Sequence, residues 1–417
     1  MEAENMDIFR SLKYRNFKLF FYGQSISLMG TWMQKTAVAW LVYRLTGSAF
    51  LLGMVTFASL IPSLFLSPYA GSFIDRHDRF KTMVNSQIIS MLQAAAIAAI
   101  IYFKFYNITA IILLSLVQGI VNAFDVTCRQ SLMIDMVDNK EDLPNAIALN
   151  STMTNLARIV GPALAGVILS TFGEDFCFIG NFLSYIPVLI CLYMMRMNTV
   201  VTNPPESKIW TGLKEGFQYI KTEKELRSLI LLLCVSSTFV IPFNTLMPIF
   251  AKDLFNGTAS TFSLFESAIG IGSVASAIYL ANLESAHLLM KIISISTLLF
   301  GISVLFIAFS NVLVLSLIFM AMSGVGMMAQ TSAINTYIQT HAVPHMRGRA
   351  ISYFIMAYQG MIPVGSLLIG SIADIVGAKV AVALGGAIGM VSAAVFLYYW
   401  SHKNEKNSIF AFASAKH

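Results

Sequence analysis

Gly71-Ser72-Phe73-Ile74-Asp75-Arg76-His77-Asp78-Arg79-Phe80-Lys81 links two apolar runs, near residues 49–74 and 82–103. A membrane-spanning helix needs about 20 mostly apolar residues, and both runs are that long. The link is therefore read as a short turn on one membrane face. Gly71 lets a neighbouring helix come close. Asp75, at a helix end, can accept hydrogen bonds from the free N–H groups of another helix or pair with a base. Arg76, Arg79 and Lys81 hold the turn on the cytoplasmic side. A charged turn that only sets topology would explain the same residues.

The rest of the chain has the same character. Of its 417 residues, 57% are hydrophobic and 12% charged, with 21 acids against 27 bases. Mean hydropathy is +0.72. Soluble proteins carry about 25% charged residues, so a soluble enzyme, a disordered chain and a disulfide-built secreted module are excluded. Twelve apolar stretches can be read, near 17–43, 49–74, 82–103, 107–134, 143–171, 176–196, 226–251, 258–281, 287–309, 311–339, 348–375 and 377–400. The expected fold class is an all-α membrane protein with twelve transmembrane helices in two pseudo-symmetric six-helix bundles. With both ends cytoplasmic, only Arg44, Lys104, Lys252 and Lys379 fall on the outer side. Lys35, Arg129 and Arg158 lie inside or at the ends of spans, and all other bases face the cytoplasm. This is the positive-inside bias, and an odd number of spans would destroy it. The net charge of +6 thus reports topology rather than nucleic-acid binding.

The four cysteines show no paired spacing, and Pro344 separates His341 from His345. No metal site, cofactor motif, nucleotide-binding loop or catalytic set is visible, so the chain is not expected to be an enzyme. The first span is expected to serve as an uncleaved signal. Residues 1–196 are read as the N-terminal bundle, 197–225 as a cytoplasmic linker, and 226–417 as the C-terminal bundle with a short tail. In the linker, Trp210, Leu213, Phe217 and Ile220 recur at helical spacing. They predict an amphipathic helix on the inner membrane surface. Gly161-Pro162 in the fifth run and Pro363, Gly365 and Gly370 in the eleventh form a weak internal echo, as expected for two parallel repeats.

Gly-x-x-x-Asp-Arg-x-x-Arg after the second span resembles the signature loop of the major facilitator superfamily. The resemblance implies that Gly71, Asp75, Arg76 and Arg79 lock the two halves on the cytoplasmic side when the site opens outward. Asp78 stands where the family often has glycine, and Phe80 where it often has a base. The matching loop, Asn282-Leu283-Glu284, lacks the pattern. Arg158-Ile159-Val160-Gly161-Pro162-Ala163-Leu164-Ala165-Gly166 resembles the fifth-helix motif of the superfamily's exporters, with Ala165 in place of a second glycine. Physically, Gly161, Ala165 and Gly166 permit close packing and Pro162 permits a kink; an ordinary small-residue contact would use the same residues. Gly30-Thr31-Trp32-Met33-Gln34, Ala39-Trp40-Leu41-Val42-Tyr43, Leu45-Thr46-Gly47-Ser48, Arg129-Gln130, Leu143-Pro144-Asn145-Ala146 and Arg347-Gly348-Arg349 resemble one branch of the superfamily. That branch includes the enterobactin exporter and macrolide efflux proteins.

Ionisable residues inside a membrane are costly and are read as functional by default. Asp125 and Arg129, four apart, can neutralise each other. Arg158 either joins them or attracts an anionic cargo. Glu266 lies on the order of 12 Å into the eighth span at 1.5 Å per residue, with no base close in sequence. It is the first candidate for proton coupling, and Asp125 the second; a carboxyl facing a water-filled vestibule is the alternative. Lys35 either snorkels outward or binds an acidic cargo. Gln24, Gln34, Lys35, Asn122, Arg129, Asn155, Asn244, Gln330, Asn335 and Gln359 are candidates to line a cargo cavity; each polar amide serves equally as an interhelical hydrogen bond.

The expected function is proton-coupled export of a small molecule across the inner membrane of a bacterium. By resemblance the cargo is a siderophore or an amphiphilic drug-like compound. The expected partners are cargo, protons and the lipid bilayer, with the chain functional as a monomer and both termini cytoplasmic. Uptake of a ferric siderophore or other nutrient, and a sensor or scaffold that no longer transports, are the competing readings.

Overall fold

A computed structural model describes residues 9–197, 209–281 and 288–414, apart from the side chains of Pro68, Ser72, Asp75, Lys140, 209–213, 281 and 401–414. The expected loop Asn282-Leu283-Glu284 and the linker stretch 198–208 lie outside the described residues.

The described chain is helical throughout. The helices are α1 (Arg15–Thr46), α2 (Ala49–Arg76), α3 (Arg79–Tyr102), α4 (Ile108–Leu132), α5 (Leu143–Thr171), α6 (Glu174–Met194) and α7 (Ile209–Thr222). They continue as α8 (Lys224–Leu254), α9 (Ala259–Ala281), α10 (Leu289–Phe309), α11 (Leu313–His341), α12 (Arg347–Val376) and α13 (Ala378–Ser414). All except α7 match the apolar runs read from the sequence. Among the described residues, eleven helices are long and apolar enough to cross a membrane. Helix α1 occupies the place of the first span but falls outside that set. Its Gln24, Ser25, Ser27, Thr31, Gln34 and Lys35 dilute its hydropathy, although its 32 residues reach about 48 Å at 1.5 Å per residue.

Local signals set the helix ends. Gly47, at φ 63°, takes the left-handed conformation that stops α1. Ser48 then caps α2 by accepting from Leu51 N at 3.2 Å, and Asn107 caps α4 through Ala110 N at 3.1 Å. Within α8, Pro242 cannot donate to the helix ladder. The helix passes through a π turn at Ser236–Val240 and a 3-10 stretch at Ile241–Leu246. A second π turn, Phe250–Leu254, ends α8, and a third, Met356–Gly360, interrupts α12. The π turns were not legible in the sequence.

The chain forms two compact units. The first is Met1–Ser207 with Met247–Ser267, and the second is Lys208–Leu246 with Ala268–His417. In the first unit α1 packs on α5 and α6, α3 on α4 and α6, and α2 on α4. One of its clusters closes over Phe17, Phe20 and Met83, and another over Leu41, Leu52 and Phe178, all fully buried. In the second unit α10 packs on α11 and α13. There Gln330 donates to Ser236 Oγ at 2.9 Å and to Thr297 Oγ1 at 2.8 Å, tying three helices.

The internal echo has a structural counterpart. In the first unit Gly161 of α5 lies against Trp32 of α1, and in the second Gly365 of α12 lies against the backbone of Thr238 in α8. Fifth on first and eleventh on seventh are equivalent pairings in two repeats. Helix α7 stands where the amphipathic helix was expected. It is docked on the start of α12 within the second unit: Glu215 pairs with Arg349, Phe217 packs on Tyr353 at 6.3 Å, and Tyr219 accepts from Val343 N at 3.1 Å. Ile220 is buried while Phe217 stays exposed, and the side chains of Trp210 and Leu213 lie outside the described residues.

Candidate functional site

The fifth-helix motif positions the charged centre of the first unit. A Cβ on Gly161 would collide with that of Trp32 and stand 3.0 Å from Met29 O. A Cβ on Gly166 would stand 2.6 Å from Ser263 Cβ, and Ser260 Oγ donates to Gly166 O at 3.3 Å. The missing side chains thus let α5 approach α1 on one side and the start of α9 on the other. One turn before Gly161, Arg158 is carried to Trp32. Its guanidinium carbon is 5.9 Å from the centre of the indole, and Lys35 Nζ is 4.7 Å from it. Both lie within the roughly 6 Å reach of a cation–π contact. Glu266 of α9 is close enough to act electrostatically on both bases. Lys35 is exposed, while Arg158 and Glu266 are half-buried. Among the described residues none of the three makes an ion pair or a side-chain hydrogen bond.

Two expectations change here. Glu266 has no base near it in sequence but two near it in space. Arg158 does not join Asp125, whose oxygens are already taken. Asp125 Oδ2 pairs with Arg129 Nε at 2.9 Å, and Oδ1 accepts from Gln87 at 2.6 Å and Ser86 at 3.2 Å. The group is buried. Removing either charge would strand the other at a cost of about 3–5 kcal/mol, as in a structural pair.

The amide candidates divide. Gln24, Gln34 and Gln330 are buried. Gln34 accepts from Asn181 at 2.8 Å and donates to Gln93 at 3.4 Å, joining α1, α3 and α6. Asn155 donates to Ser151 O of its own helix at 3.0 Å, and Asn335 accepts from Gln339 at 3.1 Å. Asn122, Asn155, Asn244 and Asn335 are half-buried, and Gln359 is exposed. Asn244 Oδ1 is itself buried without a hydrogen-bond partner.

At the turn between α2 and α3, Arg76 is exposed and Arg79 half-buried, and the Asp75 side chain lies outside the described residues. Asp78, where the family often has glycine, caps α3 by accepting from Phe80 N at 3.0 Å and Lys81 N at 3.1 Å. The departure from the pattern is thus a helix cap. His77 stacks on Phe73 at 3.9 Å.

Sequence reading missed two further clusters. At the end of α1, the Tyr43 hydroxyl donates to Asp253 and Lys252 Nζ lies 5.3 Å from the Tyr43 ring. These residues are more than 200 positions apart in the chain, so no spacing signal reveals them. Just before α1, the 3-10 turn Arg10–Lys13 is strapped to the start of α5. Asp142 pairs with Lys13 at 2.7 Å and Arg10 at 3.0 Å, and accepts from the Tyr14 hydroxyl at 2.7 Å. Asn145 Oδ1 accepts from Ser11 N at 3.1 Å. The hydrogen bond from Lys13, then that from Tyr14, holds the Asp142 carboxyl below its ordinary pKa. The same contact holds Lys13 above its own. The lowered acid contributes stability above the ordinary carboxylate pKa and loses it as pH falls through the lower folded value. The raised base contributes below the ordinary lysine pKa and loses it as pH rises through the higher folded value. The strap should therefore stay docked across neutral pH and release in acid. Protection of the amides of residues 9–14, taken relative to their intrinsic exchange rate at each pH, should fall on acidification, and Asp142→Asn should show the lowered protection already at pH 7. Equal protection in both proteins at pH 7 would remove this role for Asp142.

The profile of the family described as "Transmembrane secretion effector", within the major facilitator superfamily, matches residues 7–414. The chain belongs to this family. The transporter is 28% identical over 364 residues to the "Staphyloferrin A transporter" of Staphylococcus aureus, covering 86% of this chain and 90% of that protein. It is 23% identical over 376 residues to "Macrolide efflux protein A" of Streptococcus pyogenes, covering 88% and 92%. It is 24% identical over 354 residues to the "Multidrug efflux pump Tap" of Mycolicibacterium fortuitum, covering 82% and 85%. Among solved structures, the nucleoside transporter NupG superposes with a TM-score of 0.71 at 17% identity, covering 95% of this chain and 99% of that one. A POT family transporter superposes at 0.70 with 11% identity, covering 93% and 96%. The fold is that of the major facilitator superfamily, and the protein is a multi-pass membrane transporter.

Proposed function

We propose that this transporter exports a small molecule across the bacterial inner membrane by proton antiport and alternating access. The observation that carries the reading is Glu266, a half-buried acid in a membrane helix within electrostatic reach of Lys35 and Arg158. An acid that can take up or release a proton, next to bases that can exchange it for cargo, is what antiport requires. The names of the macrolide and multidrug relatives, together with the tight packing of the fifth-helix motif, support export. The staphyloferrin A relative supports a siderophore cargo, which ranks first, ahead of an amphiphilic drug-like compound. Cargo binds as a single molecule within one chain, which works as a monomer. The halves 1–196 and 226–417, joined by 197–225, rock about the site, with both termini in the cytoplasm. Gly71, Asp75, Arg76 and Arg79 stabilise the outward-open state.

The deciding experiment is untargeted mass spectrometry of iron-limited culture supernatants and cell extracts, with and without the gene. A compound lost outside and accumulated inside establishes export and identifies the cargo. The reverse pattern would favour uptake, a second reading kept because the name of the staphyloferrin A relative states no direction. Asp75→Asn should slow turnover about tenfold or more while leaving cargo affinity within about twofold, since a lock between states acts on the cycle and not on the site. A large affinity loss with normal turnover would count against the lock.

A further inference from the structure

The charge balance around Trp32 points to a class of ligand. Lys35 and Arg158 both approach its indole, and Glu266 is the acid that acts on them. Two cations against one carboxylate leave one positive charge uncompensated within the membrane span, where unbalanced charge is expensive. The guanidinium of Arg158 carries five donors in a fixed fork suited to a carboxylate, and no side chain among the described residues accepts from it. Lys35 likewise has no hydrogen-bond partner there. Both keep accessible surface, so a ligand can reach them. Between them the face of Trp32, itself half-buried, offers a flat apolar platform. Asp125 and Arg129 are not in play, because that pair is closed on itself.

Resting on the transporter reading above, we propose that Lys35, Arg158 and Trp32 form a binding site for a carboxylate-bearing amphiphile. The ligand's carboxylate bridges the two bases and its apolar or aromatic part lies against the indole. Glu266 is the internal anion that acts electrostatically on the bases when the ligand is absent, so ligand and Glu266 compete for the same two cations. This competition sets opposite signs for the variants. Removing a base weakens carboxylate binding, whereas neutralising Glu266 strengthens it.

The probes are 2-naphthoate, its methyl ester and a naphthyl trimethylammonium cation, titrated calorimetrically into the purified full chain in nanodiscs. The acid should bind about tenfold or more tightly than the ester, the effect of one charge-assisted hydrogen bond. Lys35→Gln and Arg158→Gln should each erase most of that preference, and Glu266→Gln should increase acid affinity severalfold. Acid and ester are compared on the unmodified protein, so the test survives even if a variant fails to fold. Equal affinity for acid and ester, preference for the cation, or no measurable binding of the acid overturns the site. The same probes loaded into proteoliposomes separate this proposal from the one it rests on. Gradient-driven export of the ester without preference for the acid would keep the transporter and remove the anion site. Tight acid binding with no movement in either direction would keep the site and remove the export reading.

Discussion

Glu266→Gln should abolish the dependence of cargo flux on the proton gradient while leaving expression intact and cargo binding no weaker. In an antiporter exchanging one proton for one uncharged cargo, a gradient of one pH unit sustains a cargo ratio of about tenfold, because both correspond to the same free energy. Glutamine keeps the size and the hydrogen-bonding oxygen of Glu266 but cannot carry a proton. The accumulation ratio in oriented vesicles should therefore fall from about tenfold toward one, with counterflow exchange of labelled cargo preserved. The contrast between these two readouts isolates coupling from binding, since a damaged site would lower both. Gradient-driven accumulation at the unmodified level in the variant would sink the assignment. Asp125→Asn should behave differently: it leaves Arg129 without its partner and should reduce the amount of folded protein.

Gly161→Ala should cost more than a single added methyl suggests. The new Cβ would collide with Trp32 Cβ and lie 3.0 Å from Met29 O. Neither can swing aside as a flexible side chain can, so α1 and α5 must separate. Overpacking of this kind costs about 1–3 kcal/mol. The shift also moves Arg158 relative to Trp32 and Lys35, so transport should fall about tenfold or more even in protein that remains folded. Thermal unfolding in detergent and flux normalised to protein amount test the two parts separately. Gly348→Ala is the control, because a Cβ there meets nothing within 4 Å. It should leave stability unchanged or raise it by about 1 kcal/mol or less, since alanine is the better helix former. If Gly161→Ala matched the control in both assays, close approach of α5 would not be what the motif provides.

Most of the helices were legible because lipid imposes a simple condition. Every spanning segment must be long, apolar and helical, and each of the twelve runs from 17–43 to 377–400 lies at an observed helix. The turn from Gly71 to Lys81 was readable for a related reason, as charge placement follows topology. Even the Asp78 departure has a local cause, a helix cap only two or three residues from its donors. Asp125 and Arg129 were pairable on paper because one helical turn brings them together. Lys35 and Trp32 share a helix face in the same way.

What remained hidden depends on separation along the chain. Arg158 could have turned toward Asp125 or elsewhere; only the packing of Gly161 against α1 decides that it meets Trp32. Glu266 looked isolated because its bases lie on helices far away in sequence. Tyr43 and Asp253, and Asp142 with Lys13, are contacts of the same kind. The π turns of α8 and α12 leave no trace in hydropathy. Span number and superfamily follow from one-dimensional pattern, since the bilayer acts on each segment separately. The partners of each charge follow from helix packing, which small residues permit but do not by themselves specify.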